Sequence, residues 1–256
     1  MSGKDLKHAW LRWFDHAVGA VIDKLEEKGK LDNTLIIITS DHGDFNKAKA
    51  TNYEGGIKVP LMMYWKDGIV SSGTYDELVQ NIDFGPTFLD IAGVDITNTD
   101  MDGKSLKQVL VNNSQEPIHD YLFFELGYSR AIRTKDWKYV TVRYTDAINE
   151  QIANGQTFNG PNQTQVPLPY YIPNVSLGSL AANQYPLYNV KDQLFDLNSD
   201  PYETINLFNS EPEKATELRT ILRTELLSFP QRPYQEFTDT SIDLTVSNQT
   251  TSIIGK

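Results

Sequence analysis

The sequence predicts an α/β unit, a sheet flanked by helices, followed by a smaller α+β unit with an antiparallel sheet and a C-terminal helix. Three observations carry that expectation. Helical apolar spacing at the amino end leads into two short apolar runs, the texture changes near residue 115, and a capped amphipathic segment lies towards the carboxyl end. The first unit is expected over 1–115 and the second over 116–256, with a polar and aromatic insertion at 146–187.

Leu11, Phe14, Val18, Val21, Ile22 and Leu25 recur at helical spacing, and Gly29 stands where a helix C-cap belongs. Leu35 to Ile38 form a continuous β-branched run, the pattern of a strand buried on both faces in a parallel or mixed sheet. "KVPLMMYW" (58–65) reads as a second such strand. "NIDFGPTFLDIAG" (81–93) predicts a helix with Asp83 as N-cap, Pro86 in the first turn and Gly93 at its end. A short helix is expected near 104–111, and the polar "NNSQEP" marks a boundary. Beyond it, 120–126, 129–144 and 188–200 read as antiparallel strands, and 211–229 as a helix opened by Glu211 and Pro212. The aromatic content of 146–187 favours an ordered loop, with Tyr170, Tyr171, Tyr185 and Tyr188 as rings that stack on a sugar face or pack within the loop.

The 256 residues carry a formal charge of -11, which repels nucleic acid and anionic membranes at long range. No cysteine means no disulfide, no thiolate metal site and no cysteine nucleophile. There is no run of 18 apolar residues, and the amino end lacks a signal-type apolar core. A periplasmic or extracellular location is expected only if a signal peptide belongs to the full-length protein.

Chemistry concentrates in "SDHGDFNKAKATNYEGG" (40–56), which follows the apolar run directly. Ligands in open α/β sheets gather at the carboxyl ends of strands, where Asp41 and His42 stand. Their oxygen and nitrogen donors suit a divalent cation. Lys49, Thr51, Asn52 and the Gly55-Gly56 turn add a cation, polar groups and a tight bend, the equipment for holding an oxyanion. Lys47 is the second lysine within reach of such an anion.

"DNTLIIITSDHGD", "KATNYEGGIKVPLMMYW", "IDFGPTFLDIAGV", "DGKSL", "RAIRTKDWKYV" and "QLFDLNSDPYETINL" stand in an order that resembles the sulfatase family of the alkaline-phosphatase-like superfamily. The resemblance implies that the first sheet is part of an alkaline-phosphatase-like one. It implies that Asp41 and His42 are ligands of a divalent cation, usually calcium, although many members have Asn where His42 stands. It also implies that Lys49 binds the sulfate group and assists the leaving oxygen. The expected substrate is a sulfated small molecule or carbohydrate.

The family's nucleophile is a formylglycine made within a Cys/Ser-x-Pro-x-Arg motif near the amino terminus, and the chain has no such motif there. Ser228 to Arg232 spells Ser-x-Pro-x-Arg, but it follows the last helix. The chain therefore reads as a carboxyl-terminal half, inactive alone, whose partner is a complementary amino-terminal half bringing the nucleophile. Two alternatives stay open: a phosphate or phosphonate ester hydrolase of the same superfamily, and a non-catalytic anion-binding remnant.

Overall fold

A computed structural model describes residues 3–43, 48–144, 146–154, 158–159, 165–166 and 185–229. The chain divides into two compact units: Met1–Asp41 with Val59–Asp120, and His42–Lys58 with Tyr121–Lys256. The segment that carries most of the candidate chemistry thus belongs to the unit built largely from the later sequence.

In the first unit, α1 (Gly3–Glu27) forms where the helical spacing predicts it. Gly29, at φ +60°, closes it, with Gly29 N–H donating to Glu26 O and Lys30 N–H to Leu25 O. Val18, Ile22 and Leu25 are half-buried, whereas Leu11, Phe14 and Val21 are exposed. Strand β1 (Ile36–Thr39) pairs with β2 (Leu61–Tyr64) in antiparallel register, Ile36 opposite Tyr64 and Thr39 opposite Leu61. Neither direction nor two-sided burial follows from the apolar run. The first three β1 side chains are half-buried and the pair is antiparallel; a short apolar run does not specify its neighbour's direction.

A 3-10 turn (Asn81–Asp83) leads into α3 (Phe84–Ile91), and Gly93 at φ +82° ends it. The short α2 (Glu54–Ile57) lies in the inserted segment of the second unit. Asp83 does not cap α3 with its side chain, as the sequence suggests; it already has helical φ and ψ. Its buried carboxylate accepts instead from Gln80 N (2.8 Å), Lys104 N (2.9 Å) and His119 Nε2 (2.9 Å), tying three separated stretches together. Helix α4 (Lys107–Asn112) is tied to α3 by Lys107 Nζ and Ser105 Oγ donating to Asp90. Those donors hold the Asp90 carboxyl below its usual value.

The second unit is built on a four-stranded antiparallel meander: β3 (Leu122–Leu126), β4 (Ser129–Arg133), β5 (Trp137–Val142) and β8 (Asp192–Asp196). Between β5 and β8 lie α5 (Asp146–Ala153) and a small antiparallel pair, β6 (Phe158–Asn159) with β7 (Gln165–Val166). The sequence-predicted C-terminal helix is α6 (Pro212–Ser228), with proline in its first turn.

The period of two sorts the sheet's residues onto two faces, and both are covered. Ile132, Tyr139 and Leu194 pack against Ala215, Leu218, Leu222 and Leu226 of α6. Their sequence neighbours Ala131, Val140 and Phe195 face the other way and pack with Ala48, Tyr53, Tyr185 and Tyr188. Ala48 and Tyr53 of the inserted stretch, with Tyr185 and Tyr188, therefore cover the face that α6 leaves open.

Candidate functional site

The site segment starts where β1 ends. Asp41 is exposed, with Ser40 Oγ near its Oδ1 at 3.4 Å, and it is the last residue of the first unit's opening stretch. His42, half-buried, is the first residue of the inserted segment. Its Nδ1 lies 2.8 Å from the Gly43 carbonyl oxygen. A carbonyl only accepts, so Nδ1 is the donor of that bond.

Gly43 and Gly56 permit a close backbone crossing. Gly43 N–H donates to Gly56 O at 2.8 Å. A Cβ on Gly43 would run into the Gly55 and Lys58 carbonyl oxygens, and one on Gly56 into those of Ala48 and Thr51. Only glycine fits both places. Gly56 of "YEGG" thus serves the chain crossing.

Lys49 is half-buried within this crossing, and no carboxylate among the described residues pairs with its ammonium. Ala50 follows at φ +62°, and Thr51 Oγ1 bridges the turn, donating to Ala48 O (2.7 Å) and accepting from Tyr53 N (3.2 Å). Three consecutive side chains then bind the segment to the sheet. Asn52 Nδ2 donates to Ser129 Oγ on β4 (3.0 Å), and Tyr53 OH donates to Gln193 Oε1 on β8 (2.8 Å). Glu54 Oε1 accepts from Arg133 Nε on β4 and Lys138 Nζ on β5, both at 3.2 Å.

Lys138 is wholly buried and reaches a second carboxylate, Glu203 Oε1, at 2.9 Å. Glu203 Oε2 in turn accepts the Glu54 backbone N–H at 2.6 Å. Burial alone pushes the Glu54 carboxyl up, but the Lys138 and Arg133 charges together outweigh it and hold Glu54 below its usual value. Burial dominates at Glu203 and pushes it up despite Lys138.

The tyrosines divide differently. Tyr185 stacks on Tyr53, ring centroids 4.4 Å apart and planes 9° from parallel, and Tyr188 is buried in the same cluster. Both belong to the core rather than to a sugar-facing surface, because the inserted segment needs aromatic volume beneath it. Tyr170, Tyr171 and Lys47 lie outside the described residues. Ser228 Oγ donates to Glu225 O at 2.6 Å in the last turn of α6, a helix-end bond for the first residue of the Ser-x-Pro-x-Arg run; Pro230 to Arg232 also lie outside.

Asp41 and His42 carry carboxylate oxygen and imidazole nitrogen, donor types that divalent cations take. Among the described residues no group of three or more His, Cys, Asp or Glu is placed to hold a metal ion. As residue types the two are compatible with a divalent cation. Sequence reasoning missed the anchors Arg133, Lys138, Gln193 and Glu203. A lysine inside the apolar alternation of "WKYVTV" was the signal for the first buried one.

The family model described as Sulfatase matches residues 8–94. Bovine (Bos taurus) arylsulfatase A is 29% identical over 83% of this chain and 41% of its own length. An N-acetylglucosamine-6-O-sulfatase of Bacteroides thetaiotaomicron is 34% identical over 49% of this chain and 25% of its own. A solved structure of a protein in complex with its substrate, D-glucosamine-2-N,6-O-disulfate, superposes with a TM-score of 0.56 at 25% identity, covering 82% of this chain and 37% of that one. The chain thus spans less than half the length of these relatives. Among the described residues no helix is long and apolar enough to cross a membrane.

Proposed function

The chain belongs to the sulfatase family, within the alkaline-phosphatase-like superfamily, and on that premise we propose that it serves the hydrolysis of a sulfate ester on a carbohydrate. The observation that carries this reading is Lys49, a half-buried ammonium on a segment bonded to three strands and paired with no carboxylate among the described residues. Such a cation donates hydrogen bonds to sulfuryl oxygens and passes a proton to the departing alkoxide, charges that develop only in the transition state. Sulfated sugars are the substrate class suggested by the relatives that act on glucosamine sulfates.

Asp41 and His42 would hold a divalent cation, calcium by the family resemblance. When bound it supplies positive charge against the sulfuryl oxygens. The nucleophile that the family resemblance implies, a formylglycine, is expected from a complementary amino-terminal segment, because the Ser-x-Pro-x-Arg run of this chain follows its last helix. The complementary partner is accordingly an amino-terminal sulfatase segment, and a periplasmic or extracellular location goes with it if the full-length protein carries a signal peptide.

The test is aryl sulfate hydrolysis by the chain alone and mixed with such a segment, with and without calcium. The chain alone is expected to be silent, and the mixture to turn over. Lys49→Ala should lower kcat by about 100- to 1,000-fold, the scale of one lost oxyanion donor. Turnover by the chain alone overturns the outside nucleophile, and an unaffected Lys49→Ala overturns the role of the lysine.

A further inference from the structure

The buried ions behind Lys49 do more than fill the core. Lys138 is wholly buried between Glu54 and Glu203, and Glu203 reaches around it to accept the Glu54 backbone N–H. Glu203 holds a left-handed backbone, φ +57°, which a non-glycine residue adopts only where its surroundings impose it. Buried ion pairs are poor stabilisers compared with apolar side chains of the same volume. What they supply is direction, since each bond fixes an angle as well as a distance. Here the fixed element is the backbone at Glu54, five residues beyond Lys49. The intervening turn has little slack, because Thr51, Asn52 and Tyr53 each use their side chains to hold it.

We propose that Glu203, through Lys138 and Glu54, is a positioning residue for the anion site at Lys49. The proposal rests on the assignment of Lys49 to the sulfate group. Glu203 touches no substrate. It sets the height of the 48–57 segment over the sheet, and so the place from which the Lys49 ammonium meets an anion. The remote "DPYETINL" stretch thereby belongs to the site, 154 positions along the chain from the lysine it serves.

The experiment follows acetylation of Lys49 in the full 256-residue chain by peptide mass spectrometry, while sodium sulfate is titrated at constant ionic strength with sodium chloride. In the wild-type chain sulfate slows acetylation of Lys49. In Glu203→Gln the sulfate concentration giving half protection rises about fivefold, the effect of one displaced hydrogen-bond partner. Asn52→Ala, which removes one anchor and leaves the buried ions in place, shifts it in the same direction and serves if Glu203→Gln does not fold. Leu218→Val weakens the opposite face of the same sheet and leaves half protection where the wild type has it. Wild-type protection in the Glu203 and Asn52 variants overturns the positioning role. An equal loss in Leu218→Val also overturns it, since general softening would then explain the effect. Absence of sulfate protection in the wild type overturns the Lys49 assignment, and with it the proposal.

Discussion

The two units bury their apolar residues to very different degrees. In the second, α6 covers one face of the sheet and Ala48, Tyr53, Tyr185 and Tyr188 cover the other, so Ile132 and Ala131, adjacent in sequence, are both fully buried. In the first, a two-stranded ribbon has only half-buried or exposed side chains, and α1 leaves Trp10 70% and Trp13 73% exposed. Helix propensity and apolar spacing are as good in α1 as in α6. What differs is the surface each packs against, and packing rather than propensity supplies most of a helix's stability. The consequence for function is direct. Lys49 follows the first unit's strand in sequence, yet it rides on the better-packed second unit.

That contrast breaks most visibly at Lys138. Lys138→Met leaves Glu54 and Glu203 buried without their shared cation, and should destabilise the second unit by about 3–5 kcal/mol. Hydrogen exchange is the proper readout because it resolves the units. Amides of β4, β5 and β8 should exchange faster while those of α1 keep their rate. Equal acceleration in α1 would mean that the units open as one.

A smaller and cleaner comparison sets two leucines against each other. Leu218 is fully buried on α6, and Leu218→Ala should lose about 3 kcal/mol through lost contact and the cavity left behind. Leu11 is exposed on α1, and Leu11→Ala should stay within about 0.5 kcal/mol of the parent. Urea unfolding of both variants measures the difference, and similar losses would show that the Leu11 face is covered in solution.

Much of this was legible before any coordinates. The helices 3–27 and 212–228, the strands at 36–39, 122–133 and 137–142, and the glycine stop at Gly29 all follow from local periodicity and caps. Asp41 and His42 stand out because they follow an apolar run directly, whereas Lys49 is singled out by the family resemblance. The partner strand of β1 was not legible, since a four-residue strand carries no sign of its neighbour's direction. Nor were the anchors of the site segment. Tyr53 meets Gln193 across 140 positions, and Glu54 meets Lys138 across 84. Contacts of that separation leave no trace in local spacing, so Glu54 passed for part of a turn and Asp83 for an ordinary cap.

The smallest expected effect is with pH, because the two buried glutamates pull in opposite directions. Lys138 and Arg133 hold Glu54 below its ordinary 4.5, so the folded chain prefers the carboxylate. That stabilisation is complete above 4.5 and is lost as pH falls through the folded value. Burial holds Glu203 above 4.5, so the folded chain prefers the acid form. Its contribution is complete below 4.5 and is lost as pH rises through the folded value. Urea midpoints of the second unit should therefore decline gently on both sides of 4.5. Glu203→Gln should flatten the upper limb and keep the acid one, whereas Glu54→Gln should remove the acid limb. If Glu54→Gln keeps the acid limb, other carboxylates dominate it, Asp90 in the first unit among them, and the acid sensitivity belongs to the wrong half of the molecule for the site.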